Sequence, residues 1–312
     1  MNANAWQFPA CALLLAACSG ALPSTVPRTT PAPEPTVGVL VMAHGGSPAW
    51  NAAVQDAVAP LGRKLPVEIA FGMADSASLQ QGVTALEQRG VERIAVVRLF
   101  ISGHSFRHQT EYVLGLRADP PAVWVGHASE GHGPHATGPV RRRADVRLSA
   151  NGIAESPVVG TILKERVERL SVDPRRESVL VLAHGMENDE ENADVLRGLI
   201  SSLDSIRAPG SFRVVRGETL REDWQAEREV AERRIRRFVE DAATDGDVLV
   251  VPFRLSGFGP YAEVLSGLRY RADSTGLLPH PLVAEWIRET AEEVVCGAGW
   301  GGLPGSCAAA TR

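Results

Sequence analysis

Residues 39–45 read VLVMAHG and residues 179–185 read VLVLAHG. Each copy is an apolar run closed by a histidine and a glycine. A run of that kind, bounded by glycine and polar residues, fits a strand buried on both faces of a parallel sheet. Ligands in such sheets bind at the carboxyl ends of the strands, where both histidines fall. The copies are about 140 residues apart, too far for a solenoid repeat. The chain therefore reads as α/β, with two similar parallel-sheet βαβ domains facing a central cleft.

The flanking sequence extends that reading. After strand 37–43, Trp50, Val54, Ala57, Val58, Leu61 and Leu65 fall on one helical face. Val67–Phe71 reads as a second strand. Ser76 and Ser78 are candidate caps for a helix carrying Leu79, Val83 and Leu86, with Gly90 at a left-handed C-cap. Arg93–Phe100 is a third strand and Val123–His127 a short fourth, joined by helical crossovers. The second half repeats the order: strand 179–183, a polar helix, strand 212–216, and a long helix with Trp224, Ala231, Ile235, Phe238 and Ala242 on one face. Asp247–Phe253 follows as a strand, then an amphipathic helix from Leu282 through Trp286 and Ile287. Residues 128–157 read as an irregular crossover and Val158–Leu170 as a connecting helix.

The 312 residues, 44% hydrophobic and 22% charged, are an ordinary globular composition. A net charge of −5 argues against nucleic acid as the main partner. Pro9–Ala17 has the length of a signal-peptide core and is too short to span a bilayer. It runs into Leu15-Ala16-Ala17-Cys18-Ser19, which resembles a bacterial lipobox and implies diacylation of Cys18, a membrane anchor, and a place in the cell envelope facing the periplasm or exterior. Residues 19–36, with five prolines, read as an extended tether. Of four cysteines, Cys296 and Cys307 bracket a Gly-rich segment and are a candidate disulfide. The expected organisation is a signal peptide (1–18), a tether (19–36), an N-terminal domain (37–150), a connector (151–177), a C-terminal domain (178–295) and a Gly-rich tail (296–312).

Strand 93–100 leads into Ile101-Ser102-Gly103-His104, which puts His104 on the same sheet edge as His44. Two imidazoles converging from strand ends can hold a borderline divalent ion: Co2+, Ni2+, Fe2+ or Zn2+. A helix beginning at Ser105 would place His104, His108 and Glu111 on one face, adding a third nitrogen and a carboxylate. His127, His132 and His135 lie in a Gly-rich loop and read as solvated, as does the run Arg141-Arg142-Arg143.

Ala43-His44-Gly45 after a first strand, with Leu99-Phe100-Ile101-Ser102-Gly103-His104 after a third, resembles the sirohydrochlorin cobaltochelatases, class II tetrapyrrole metal chelatases. Gly276-Leu277-Leu278-Pro279-His280-Pro281 before Trp286 matches a segment of two-domain members, so the resemblance covers about residues 37–290. It implies insertion of Co2+ into a sirohydrochlorin-type tetrapyrrole, with the metal on His44 and His104, an open cleft for the macrocycle and no nucleotide. Proton removal falls to Glu111 or His108. The carboxylates of such a macrocycle call for a cationic rim, with Arg98, Arg107, Arg254 and Arg269 as candidates and His184 as a further cleft residue. Three features depart from the family. Met73 stands where a glutamate is expected after the second strand, Phe258 stands at the second-half counterpart of His104, and the N-terminus points to export. They leave open a second reading, a non-catalytic envelope lipoprotein that binds divalent metal or tetrapyrrole. A hydrolase reading of His44-Gly45-Gly46-Ser47 fails for want of a nucleophile elbow. Oligomeric state is not legible.

Overall fold

Every residue of β1 (Val37–Ala43) is buried, and so is every residue of β5 (Glu177–Ala183). The computed structural model describes residues 36–121, 138–208 and 211–301, which belong to one compact unit. The first sheet adds β2 (Val67–Phe71), β3 (Arg93–Leu99) and β4 (Asp145–Leu148) to β1, in the order β2-β1-β3-β4. The second adds β6 (Val214–Thr219), β7 (Asp247–Phe253) and β8 (Arg271–Ala272) to β5, in the order β6-β5-β7-β8. All pairings are parallel. The duplicated α/β architecture is the one expected.

The helices are α1 (Pro48–Gly62), α2 (Ser76–Gln88), α3 (Arg107–Val113), α4 (Val158–Leu170), α5 (Asp189–Ser202), α6 (Gln225–Asp245), α7 (Tyr261–Val264) and α8 (Pro281–Gly297). Period-two alternation decides which layer each strand residue enters. Val37, Val39, Val41 and Ala43 join Val179, Val181 and Ala183 in one core shared by both halves. Leu40 and Met42 enter a separate outer core with α2, and Leu180 and Leu182 another with α6. The shared core is lined by α1, α4, α5 and α8. Two of these helices are exchanged between halves: α8 packs on β3 and α1 of the first half, and α4 packs on β7 of the second. The helical cover of each sheet is therefore not contiguous in sequence.

Several sequence expectations need correction. The fourth strand of the first sheet is Asp145–Leu148, inside the stretch read as irregular; residues 123–127 lie outside the described residues. β6 begins at Val214 rather than at residue 212, because this edge strand, VVRGET, is half polar and carries no apolar run. Asp75, not a serine, caps α2, accepting from the Ser78 N–H at 2.8 Å; the short carboxylate is the better acceptor there. α7 and β8 were not anticipated, being four and two residues long. Gly90 does adopt the left-handed conformation (φ 79°). Cys296 is disulfide-bonded, whereas Cys18, Cys307, His127, His132 and His135 lie outside the described residues. Among the described residues, no helix is long and apolar enough to cross a membrane.

The exchange makes a stability prediction. Ile287 on α8 is fully buried in the shared core, so Ile287→Ala should cost about 2–5 kcal/mol in urea denaturation. Hydrogen exchange should show β1 and β3 of the first half losing protection; an effect confined to β5–β8 would contradict the exchange.

Candidate functional site

The chain leaves β1 for β2 on one side and later returns to β3 on the other, so the strand order reverses between β1 and β3. Crevices at such reversals, outside the carboxyl ends of the strands, are the ligand sites of open α/β sheets. Ala43 is paired with Leu99 at that edge. His44 is the next residue after β1, and His104 is on the loop after β3. The two imidazoles thus leave neighbouring strands at the same end.

His44 is half-buried, and its Nδ1 is 2.8 Å from the Gly45 carbonyl. A carbonyl only accepts, so Nδ1 carries the hydrogen and a neutral ring has its lone pair at Nε2, the tautomer a metal ligand needs. Gly45 makes the turn with φ 83°, and a Cβ there would lie 3.2 Å from the Phe71 Cβ. Trp50 meets His44 and Phe71 edge-on, each at 6.4 Å between ring centroids, giving the site an aromatic wall.

His104 is exposed. It does not share a helical face with His108: α3 starts at Arg107, after Phe106 in a left-handed conformation (φ 53°). His108 Nδ1 lies 3.1 Å from Glu111 Oε2, and Arg107 Nε donates to Glu111 Oε1 at 3.0 Å. Burial works against the charge on Glu111, but Arg107 and His108 hold its carboxyl below the usual carboxylate range. That direction makes Glu111 a poor proton acceptor and a good orienter of His108. Among the described residues, no three His, Cys, Asp or Glu side chains are gathered to hold a metal. His44, His104 and His108 therefore do not form a closed cage.

Among the described residues, the four arginines expected at the rim have other partners. Arg98 is wholly buried and spends its guanidinium on four backbone carbonyls, with burial lowering its pKa to about 10. Arg107 is committed to Glu111, and Arg254 is paired with Glu222 at 2.5 Å. Arg269 donates to the Ala243 carbonyl near the end of α6, away from the strand ends.

At the second-half reversal, His184 repeats His44: Nδ1 is 2.9 Å from the Gly185 carbonyl, and Trp224 is edge-on at 5.8 Å. Its Nε2 faces Asp223 Oδ2 at 3.1 Å. Burial disfavours the charged ring, but Asp223, with Glu222 and the Gly185 carbonyl, raises its pKa above the ordinary histidine value. Arg254 lies over the ring of the fully buried Tyr261, 5.9 Å from its centroid. Glu222, Asp223 and Tyr261 were missed in the sequence. A signal existed, since Glu222 and Asp223 follow β6 (Val214–Thr219) near the place where the first half has Met73 after β2, but the glutamate is expected only in the first half and β6 is expected to end at residue 216.

Residues 38–112, less than half of the chain, match a family model described as CbiX, and both His44 and His104 fall inside the match. Among curated proteins, no sequence matches the chain. The fold resembles SirB from Bacillus subtilis with Fe3+, at 15% identity and a TM-score of 0.57, covering 83% of this chain and 96% of that one. It also resembles the sirohydrochlorin chelatase SirB from Bacillus subtilis subspecies spizizenii in complex with cobalt, at 14% identity and a TM-score of 0.52, with coverage of 83% and 96%. A multi-domain protein of Deinococcus radiodurans with structural similarity to chelatases matches at 20% identity and a TM-score of 0.52, over 82% of this chain. The chain spans 55% of the length of that protein. The fold is chelatase-like, duplicated in tandem.

The His184–Asp223 contact predicts a titration. A raised folded-state pKa contributes stability that is present below the unfolded value and lost as pH rises through the folded one. Asp223→Asn should move the His184 midpoint down in an NMR titration and reduce that pH dependence, Glu222 and the Gly185 carbonyl remaining. An unmoved midpoint would contradict the assignment.

Proposed function

We propose that the protein inserts a divalent ion, Co2+ foremost, into a sirohydrochlorin-type tetrapyrrole. One observation carries this reading: two imidazoles leave adjacent parallel strands at the strand-order reversal, inside the segment that matches the CbiX model. Insertion requires two pyrrole N–H protons to depart while the ion sheds its ligands. Two histidines, with no third donor gathered beside them among the described residues, leave coordination positions open, so the ion passes on without a closed shell being broken. The Trp50 and Phe71 rings suit the flat face of a macrocycle. His108, held by Glu111 with its hydrogen on Nδ1, has Nε2 as the proton acceptor. Ni2+, Fe2+ and Zn2+ suit the same donors.

The test is an absorbance assay with sirohydrochlorin and Co2+. The intact protein should accelerate insertion, and His44→Ala or His104→Ala should remove most of the acceleration and weaken Co2+ binding by more than the roughly 10–100-fold that losing a partner of a ligand costs. Metal binding without acceleration over the spontaneous reaction would instead support a non-catalytic envelope binder of metal or tetrapyrrole. The second half, with Phe258 in place of a second histidine, favours that alternative.

The lipobox-like sequence supports placing the protein on the envelope through a lipid on Cys18. Cys18→Ser should move it from the membrane fraction to the soluble one, and unchanged fractionation would remove the anchor from the proposal. A Cys296–Cys307 disulfide completes the proposal for an oxidising compartment.

A further inference from the structure

The loop bearing His104 meets the segment after β4 backbone to backbone. A Cβ on Gly103 would lie 2.8 Å from the Ala150 carbonyl oxygen, and one on Gly152 would lie 2.5 Å from that of Ile101. Two side chains close this contact. Arg98 donates Nη1 to the Ser105 carbonyl (2.8 Å), Nη2 to those of Gly103 (2.5 Å) and Ala150 (2.8 Å), and Nε to that of Ser149 (3.2 Å). Glu155 Oε1 accepts from the N–H groups of Gly103 (3.1 Å) and Gly152 (3.3 Å). His104 therefore lies between two of the carbonyls that Arg98 holds, and Glu155 holds the N–H of Gly103, the residue before it.

The second half supplies an internal control. Arg98 is paired with Met42 in the first sheet, and Pro252 with Leu182 at the matching place in the second. Ile153 N–H donates to the Phe100 carbonyl as Leu277 N–H donates to that of Arg254, at 2.9 and 2.8 Å. Counting along from those bonds aligns Glu155 with Pro279, Gly152 with Gly276, and His104 with Phe258. The second half makes the same pair of turns with no arginine at the strand position and no glutamate, its Gly276 and Pro279 carbonyls being held by Arg166 from α4 instead, and there the histidine is gone too. The turn itself requires neither an arginine on the third strand nor a glutamate at this place. Four carbonyls satisfy the buried guanidinium, and two of them, those of Gly103 and Ser105, lie on either side of His104.

We infer that Arg98 and Glu155 are positioning residues for His104, fixing its loop so that the imidazole meets an ion shared with His44. The inference rests on the proposed function through that metal pair. Partners of metal ligands commonly change affinity about 10–100-fold when removed.

Co2+ titration of the purified full-length chain tests it. Glu155→Ala should weaken binding about tenfold, whereas Glu155→Gln, whose amide oxygen still accepts from both N–H groups, should restore it. Arg98→Met should weaken binding at least as much, with Arg98→Lys between. In a His104→Ala background neither change should add further loss, because both act through the missing ring. Arg166→Met is the matched control. Arg166 is also buried and holds the Gly276 and Pro279 carbonyls, each at 3.0 Å, so its loss should lower stability but leave Co2+ affinity unchanged. Wild-type affinity in Glu155→Ala, or losses that add in full to His104→Ala, overturns the inference while the metal pair stands. Wild-type affinity in His104→Ala itself overturns the proposed function, and the inference with it.

Discussion

The in-register parallel pairing of β1 with β3 is the constraint on which the rest of the structure depends. With Ala43 paired to Leu99, the next residues leave the sheet side by side at the edge where strand order reverses. The chain then needs only a short loop to bring a second imidazole toward the first. Moving β1 by one residue would exchange its two faces. Val39 and Val41 would enter the outer core, Leu40 and Met42 the shared one, and His44 would leave the edge on the wrong side.

The two halves have kept that frame and diverged in what they place on it. Both keep the histidine after the first strand, the left-handed glycine behind it and an aromatic ring against the imidazole. The first half adds His104, a buried arginine and a bracing glutamate. The second instead pairs His184 with Asp223 and, next along the chain, Glu222 with Arg254, which lies over Tyr261, so the charges are matched internally. One half is thus suited to sharing an ion and the other to holding a proton. The exchanged helices α4 and α8 tie the two together through a single apolar core, so neither sheet is covered without the other half.

The repeat, the buried central strands and the positions of His44 and His184 were legible because each rests on local pattern: an apolar run, then histidine and glycine; His104 was legible from the apolar run of β3 and the Ser-Gly-His that follows it. What was not legible rests on register and on partners far away in sequence. Arg98 reads as a rim cation in a list of arginines, yet alternation along β3 sends it into the outer layer, where carbonyls from Gly103 to Ala150 occupy it. β4 and β6 are edge strands of mixed polarity and lack the apolar run that marked β1 and β5. The supposed face of His104, His108 and Glu111 failed for a single backbone angle, the positive φ of Phe106, which delays α3 until Arg107.

The most direct test of the central claim is the anomalous-scattering map of a crystal soaked in Co2+. The account predicts a peak about 2.0–2.2 Å from an imidazole nitrogen of both His44 and His104. A peak at His184, at the histidines of residues 127–135, or at only one of the pair would contradict it.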